Sequence, residues 1–343
     1  MKKFITTICA LIILCAAAAG CGVRPVQAEP APEESLIQTA GRELPYRFAD
    51  REEGMEFLMA CEAYYDGFSA NDLAYRMQRR DADMEDYKAF AREQVCGFTD
   101  AEKALIDVYM QKIEQKIADN GYHLPELDEI VFICTTEKEE CGASAYTHGT
   151  QIYLGKELLD SFVGTGGYAP NLEYLLAHEI FHCLTRSSPG FRADMYRIIH
   201  FTVQEEEFEI PPSVMEYYIS NPDVEHHNAY AGFIINGEPV NCFIALVTRK
   251  HFENAGESFF DTATAALVPV DGTDVYYYPE DVSNYDDIFG RNTDYTIDPE
   301  ECMADNFGFL IAFGADGPRG DGYRTPEIID AIREYLRDGT GSE

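Results

Sequence analysis

The chain has 343 residues, with 26 Lys and Arg against 61 Asp and Glu, giving a formal net charge of −35. So acidic a surface repels nucleic acid and anionic lipid headgroups, so neither is expected as a partner. Trp is absent while Tyr and Phe number 22 and 21, which supplies aromatic core material but no indole platform for stacking sugars.

Residues 1–20 read as a targeting segment. Lys2 and Lys3 precede an apolar run, residues 4–19, shorter than the ~20 residues of a comfortable membrane span. The run ends Ala18-Ala19-Gly20-Cys21, which resembles a bacterial lipobox with Cys21 as the lipidated residue. Ala18 stands where leucine is usual, so ordinary signal-peptide cleavage is the alternative. Either route exports the protein, as a membrane-anchored lipoprotein of the bacterial cell envelope or as a secreted protein. Residues 21–45 carry Pro25, Pro30, Pro32, Glu29, Glu33 and Glu34 with few large apolar side chains, which suits a flexible tether.

The remainder is long enough to bury a large core and divides into a helical part, 46–125, and a mixed part, 126–340. Residues 52–65 and 70–92 look helical and charged. Thr99-Asp100-Ala101-Glu102 is a capping box for a helix running to about Asn120 and stopped by Gly121. Residues 130–133 predict a buried strand. Residues 143–147 and 150–154 flank His148-Gly149 as a hairpin, with His148 a turn residue.

The next segment carries chemistry. His178-Glu179-Ile180-Phe181-His182 is H-E-x-x-H, set in a helix expected to open with Asn171 as its cap and to stop at Ser187-Ser188-Pro189-Gly190. Leu172, Leu175, Leu176, Ile180, Phe181 and Leu184 make that helix apolar nearly all round, so it should be buried. Residues four apart share a helical face, so His178 and His182 can offer their imidazoles to one Zn²⁺. Glu179 then stands beside the metal, where it can take a proton from a water in the fourth position. Chance alone yields such a pentapeptide in roughly one chain in a hundred of this length.

Signals weaken over the next hundred residues. Residues 195–203 fit helix or strand, Asn221-Pro222-Asp223 is a turn, and residues 274–278 predict a strand. His226, His227 and Tyr230 are candidate donors to a developing oxyanion, with His251 a more distant one. No phosphate loop, internal repeat or dinucleotide fingerprint occurs.

Asp298-Pro299-Glu300-Glu301-Cys302-Met303-Ala304-Asp305 reads as a capped helix start, with Glu301 and Asp305 on one face. Glu-x-x-Ala-Asp downstream of H-E-x-x-H is similar to the gluzincin metallopeptidases. The resemblance rests on two segments of about ten residues each. It implies that Glu301 is the third zinc ligand and that Asp305 orients His178, with Glu300 as the fallback ligand. It further implies an α+β, zincin-like catalytic domain over 126–340: a mixed sheet and hairpin over the H-E-x-x-H helix, with a mostly helical remainder. In such a fold the sheet edge lies over the metal, and an extended peptide or protein substrate adds to it as a strand. The expected activity is zinc-dependent peptide hydrolysis with Glu179 as base. The rivals are a catalytically inactive zinc lipoprotein acting as a binding or envelope-assembly factor, and a structural surface protein whose motifs coincide by chance.

Beyond Cys21 lie Cys61, Cys96, Cys134, Cys141, Cys183, Cys242 and Cys302. Cys134 and Cys141 could close a small loop, and Cys183 and Cys302 read as packed small hydrophobes rather than ligands. Thr325-Pro326-Glu327 opens a last amphipathic helix to about Arg337.

Overall fold

A computed structural model describes residues 44–163 and 170–338, so the leader, Cys21 and nearly all of the tether lie outside the described residues. No described helix is long and apolar enough to cross a membrane. The fold is α+β, with one mixed and one antiparallel sheet.

The first half builds the mixed sheet. β1 (Tyr46–Phe48) runs parallel to β3 (Ile130–Thr135), whose six residues are all buried, as suits a strand covered on both faces. β2 (Val95–Cys96) pairs antiparallel with the end of β3. β5 (Gln151–Gly155) lies parallel to β3 on its other side, and β4 (Ala145–His148) forms the outer edge, antiparallel to β5. The turn falls at Gly149-Thr150, so His148 ends a strand and is buried. β1 and β2 come from the helical stretch before residue 125, so the sequence division there runs through a shared sheet.

The two helical stretches expected over 52–65 and 70–92 are four short helices: α1 (Arg51–Met59), α2 (Glu62–Asp66), α3 (Ala70–Met77) and α4 (Met84–Gln94). Ser69 and Asp83 cap new starts, and each accepts a hydrogen bond from the backbone N–H three residues on. α5 (Asp100–Asn120) has the reciprocal Thr99–Glu102 capping box and ends at Gly121 with φ 63°.

α6 (Lys156–Val163) precedes α7 (Pro170–Ser187), the H-E-x-x-H helix, which α5 and β4 flank. α7 already includes Pro170, so Asn171 sits inside its first turn instead of capping it. Residues 195–203 divide between the end of α8 (Pro189–Ile198) and β6 (Thr202–Val203).

The expectation of a mostly helical remainder is corrected by a second sheet. After the short α9 (Pro212–Met215), β7 (Ala229–Ile235) and β8 (Glu238–Thr248) form a hairpin, with β6 and β9 (Ala263–Pro269) outside them, all antiparallel. The cause is local: Asn236 and Gly237 both adopt positive φ (53° and 86°), the geometry that matches strand twist in a two-residue turn. Residues 274–278 form no strand; Tyr277 makes one isolated bridge to Leu267.

α10 (Tyr285–Phe289), α11 (Pro299–Phe313) and α12 (Pro326–Asp338) complete the chain. α11 lies directly along α7. Gly308 permits this approach, because a Cβ there would stand 3.0 Å from the Tyr174 ring. This contact brings the acidic first turns of α11 beside the histidines of α7.

Candidate metal centre

His178, Glu179 and His182 on α7 and Glu300, Glu301 and Asp305 on α11 are all buried. Each histidine is held from behind through its Nδ1. His178 Nδ1 lies 2.9 Å from Asp305 Oδ1, and His182 Nδ1 lies 2.9 Å from Glu300 Oε1. With Nδ1 engaged, both Nε2 atoms turn toward Glu301. Glu301 Oε2 stands 3.2 Å from His178 Nε2 and 3.7 Å from His182 Nε2. Two donors each ~2.0–2.1 Å from a tetrahedral zinc lie about 3.3 Å apart, so this spacing fits one ion.

Two further observations fit a cation. His182 Nε2 and Glu301 Oε2 are buried without a properly directed hydrogen bond, a costly arrangement for polar atoms unless something satisfies them. The carboxyl groups of Glu179, Asp223, Glu300, Glu301 and Asp305 also gather here, buried, against two imidazoles and Arg186. Burial alone would push the His178 pKa down, but the Asp305 hydrogen bond, the close Glu301 carboxylate and the charges of Asp305 and Glu179 outweigh it and raise it well above the ordinary value.

The surroundings fix each carboxylate. Asp305 also accepts from Tyr174 and Thr293. Glu301 Oε1 accepts from Asn221 Nδ2 at 2.5 Å and from the Tyr295 hydroxyl at 3.1 Å, which turns Oε2 toward the histidines. Glu179 Oε2 accepts from Thr147 Oγ1 of β4 at 2.7 Å, so this carboxylate lies against the sheet edge.

Glu300, the fallback ligand, has a different place. Next to Glu301 on the helix, it is rotated behind His182, where it also accepts from Thr185 (2.6 Å), Tyr196 (2.6 Å) and Arg186 (3.1 Å). Burial would raise its pKa, but the His182 hydrogen bond and the Arg186 charge prevail and hold it at about 2.

Asp223 lies on the Glu179 side of the site. Its Oδ1 lies 3.9 Å from His182 Nε2, and Glu179, His182 and Asp223 form a second close group of donor atoms. Burial first, then the charges of Glu179 and Glu301, push its pKa well above the usual carboxylate range.

The oxyanion candidates are engaged with other partners. His226 is exposed and bound to Glu207 at 2.7 Å. His227 is bound to the Tyr218 hydroxyl at 2.9 Å, and burial drives its pKa down to about 4. Tyr230 packs edge-on against Phe208, and His251 stacks on Tyr217. Tyr295 has instead the hydroxyl at the site, its ring 6.3 Å from that of His178. Its sequence neighbourhood gives no sign of this.

Cys183 and Cys302 pack in the apolar core. Cys134 faces Cys96 across β2 and β3, with the sulfurs 2.8 Å apart, so its neighbour is not Cys141.

Among known proteins, no family model, no curated protein and no solved structure matches the chain.

Proposed function

We propose that this chain is a zincin-like, gluzincin-type zinc peptidase that hydrolyses peptides or proteins outside the cytoplasm, exported by its leader and anchored through lipid on Cys21. The observation that carries the reading is the convergence of His178 Nε2, His182 Nε2 and Glu301 Oε2, all buried, with a carboxylate behind each imidazole. Those three residues would hold the zinc. When bound, it supplies a Lewis acid that polarises a peptide carbonyl and makes water a stronger nucleophile at neutral pH.

The chain's own groups do the rest. Glu179, steadied by Thr147, accepts the proton of the attacking water and passes it to the leaving amine. Asp305 and Glu300 fix the ring orientation of His178 and His182 and strengthen them as donors. The Tyr295 hydroxyl, which donates to Glu301 Oε1, would serve the developing oxyanion by turning from that carboxylate. The outer edge of β4 is where an extended substrate would pair once its backbone groups are free. The intact Glu179 favours turnover over the inactive-carrier alternative.

The test is metal analysis together with peptide cleavage. The parent and Glu179→Gln should each hold about one zinc per chain, while cleavage by the variant falls ~10²-fold or more. His182→Ala should lose zinc and activity together. Equal cleavage by Glu179→Gln and the parent would refute the hydrolytic role. A parent without zinc would refute the site. Mass spectrometry of the mature N-terminus should show a lipidated Cys21.

A further inference from the structure

The edge of β4 is the place where a substrate strand would add, and it is already taken. Gly155 donates to the Ser144 carbonyl at 2.8 Å, and the antiparallel register continues from there. Alternation along the pair therefore turns the N–H groups of Tyr146 and His148 inward to β5 and those of Thr147 and Gly149 outward. Those two outward groups both donate to carboxylates of one short segment. Thr147 N–H bonds Asp223 Oδ1 at 2.6 Å, and Gly149 N–H bonds Glu225 Oε1 at 2.7 Å. The acceptors are two residues apart, as are the donors, so the segment meets the edge in step with it.

The same segment reaches the metal position. Asp223 Oδ1 stands 3.9 Å from His182 Nε2 on the Glu179 side, and Asn221 holds Glu301. Arg186, one turn beyond His182, pins it from beneath by donating to the Asp223 carbonyl at 2.7 Å and lying 3.2 Å from Glu225. Its base is tied to α3, where Arg76 donates to the Ser220 carbonyl at 2.8 Å and Asp72 accepts from the Ser220 N–H at 2.8 Å. A connecting turn with no role at the site would not need anchors on three separate elements.

We propose that residues 221–225 are a built-in plug: they occupy the substrate's place on β4 and set the Asp223 carboxylate where the attacking water belongs. This rests on the zinc peptidase reading. The described conformation is then a latent one. An extended peptide opens it by supplying two backbone carbonyls for Thr147 and Gly149 in place of the two carboxylates.

The experiment uses the zinc-loaded full chain and Asp223→Ala, Asp223→Asn and Glu225→Ala. Glu225 is exposed, so its variant tests the plug even where a buried change at Asp223 impairs folding. Three quantities are read: zinc content, hydrogen exchange over residues 145–149, and cleavage of a fluorogenic peptide library. Zinc should stay at about one per chain. Exchange should accelerate roughly tenfold in Asp223→Ala and Glu225→Ala as the tethered amides open, and both should cleave at least ~10-fold faster than the parent. Asp223→Asn keeps the Thr147 acceptor but lacks the charge, so it should cleave faster with exchange unchanged. Full zinc with cleavage no faster in any variant would overturn the plug and leave the zinc site standing. So would unchanged exchange in both Asp223→Ala and Glu225→Ala. A parent without zinc would overturn the site, and the plug with it.

Discussion

Arg76 and the His178–His182 pair are both buried among carboxylates, but only around Arg76 is the cation's every nitrogen matched. The Arg76 Nε lies 2.6 Å from Asp72, Nη1 binds Glu140 and the Glu139 carbonyl, and Nη2 binds the Ser220 carbonyl at 2.8 Å. The guanidinium also lies over the Phe68 ring at 4.7 Å, and Glu140 accepts further from the Tyr64 hydroxyl. Every guanidinium nitrogen has an acceptor, and the cation belongs to the chain. Around the histidines the carboxylates outnumber the chain's cations, and Nε2 of His182 and Oε2 of Glu301 are left over. A polar cluster that satisfies itself holds elements together; one that stops short of satisfaction around a fixed point calls for an ion.

The comparison breaks most severely at Arg76. Arg76→Met removes the resident cation and leaves Asp72 and Glu140 buried beside an apolar chain. Urea denaturation at pH 7 should show a loss of roughly 3–5 kcal/mol, with zinc content unchanged in the folded fraction. Arg76→Lys should recover little, because one ammonium cannot reproduce the fork that spans Asp72, Glu140 and Ser220. A loss below ~1 kcal/mol would mean that the cluster is no more than a solvated ion pair.

At the candidate metal centre the matching changes act on the groups behind the histidines. Asp305→Ala frees His178, and Glu300→Ala frees His182. Each should weaken zinc binding ~10–100-fold in competition with a chromogenic chelator. Glu300→Ala should be the worse of the two for stability, since it also strands Thr185, Arg186 and Tyr196. Were Glu300 a ligand, its loss would abolish binding rather than weaken it.

These residues differ in how far they could be read before folding. His178, Glu179 and His182 declare themselves because helical geometry alone sets i and i+4 on one face. Glu301 and Asp305 follow from the same period on a second helix, given the family resemblance. Glu300 was visible as an acid, but its role depends on how α11 is rotated against α7, which the Gly308–Tyr174 contact decides. Thr147, Asp223 and Tyr295 reach the site only through tertiary packing, and no local pattern marks them. The β7–β8 hairpin is the opposite case: Asn236-Gly237 between apolar runs is a strong local turn signal. The breaks at Ser69 and Asp83 were equally local, and the helical period on either side obscured them.

Glu140 gives the finest test of whether the Arg76 cluster is as complete as its geometry. Burial, the largest influence, pushes its carboxyl up to about 7 from an ordinary 4.5, against the pull of the Arg76 charge. A carboxyl raised on folding is protonated more readily in the native than in the unfolded state. Its contribution to stability is therefore fully present below about pH 4.5 and is lost as pH rises through about 7. Glu140→Gln keeps the shape of the protonated form and does not titrate. Subtracting its stability from that of the parent cancels the titration of the many surface acids. The difference should shift against the parent by about 1–3 kcal/mol between pH 4.5 and 7.5, read from urea midpoints at several pH values. A difference that stays flat or moves toward the parent would show that Glu140 is ionised throughout. The cluster would then carry a net negative charge, as the metal centre does, and the contrast between the two would rest on the fit of the guanidinium rather than on charge.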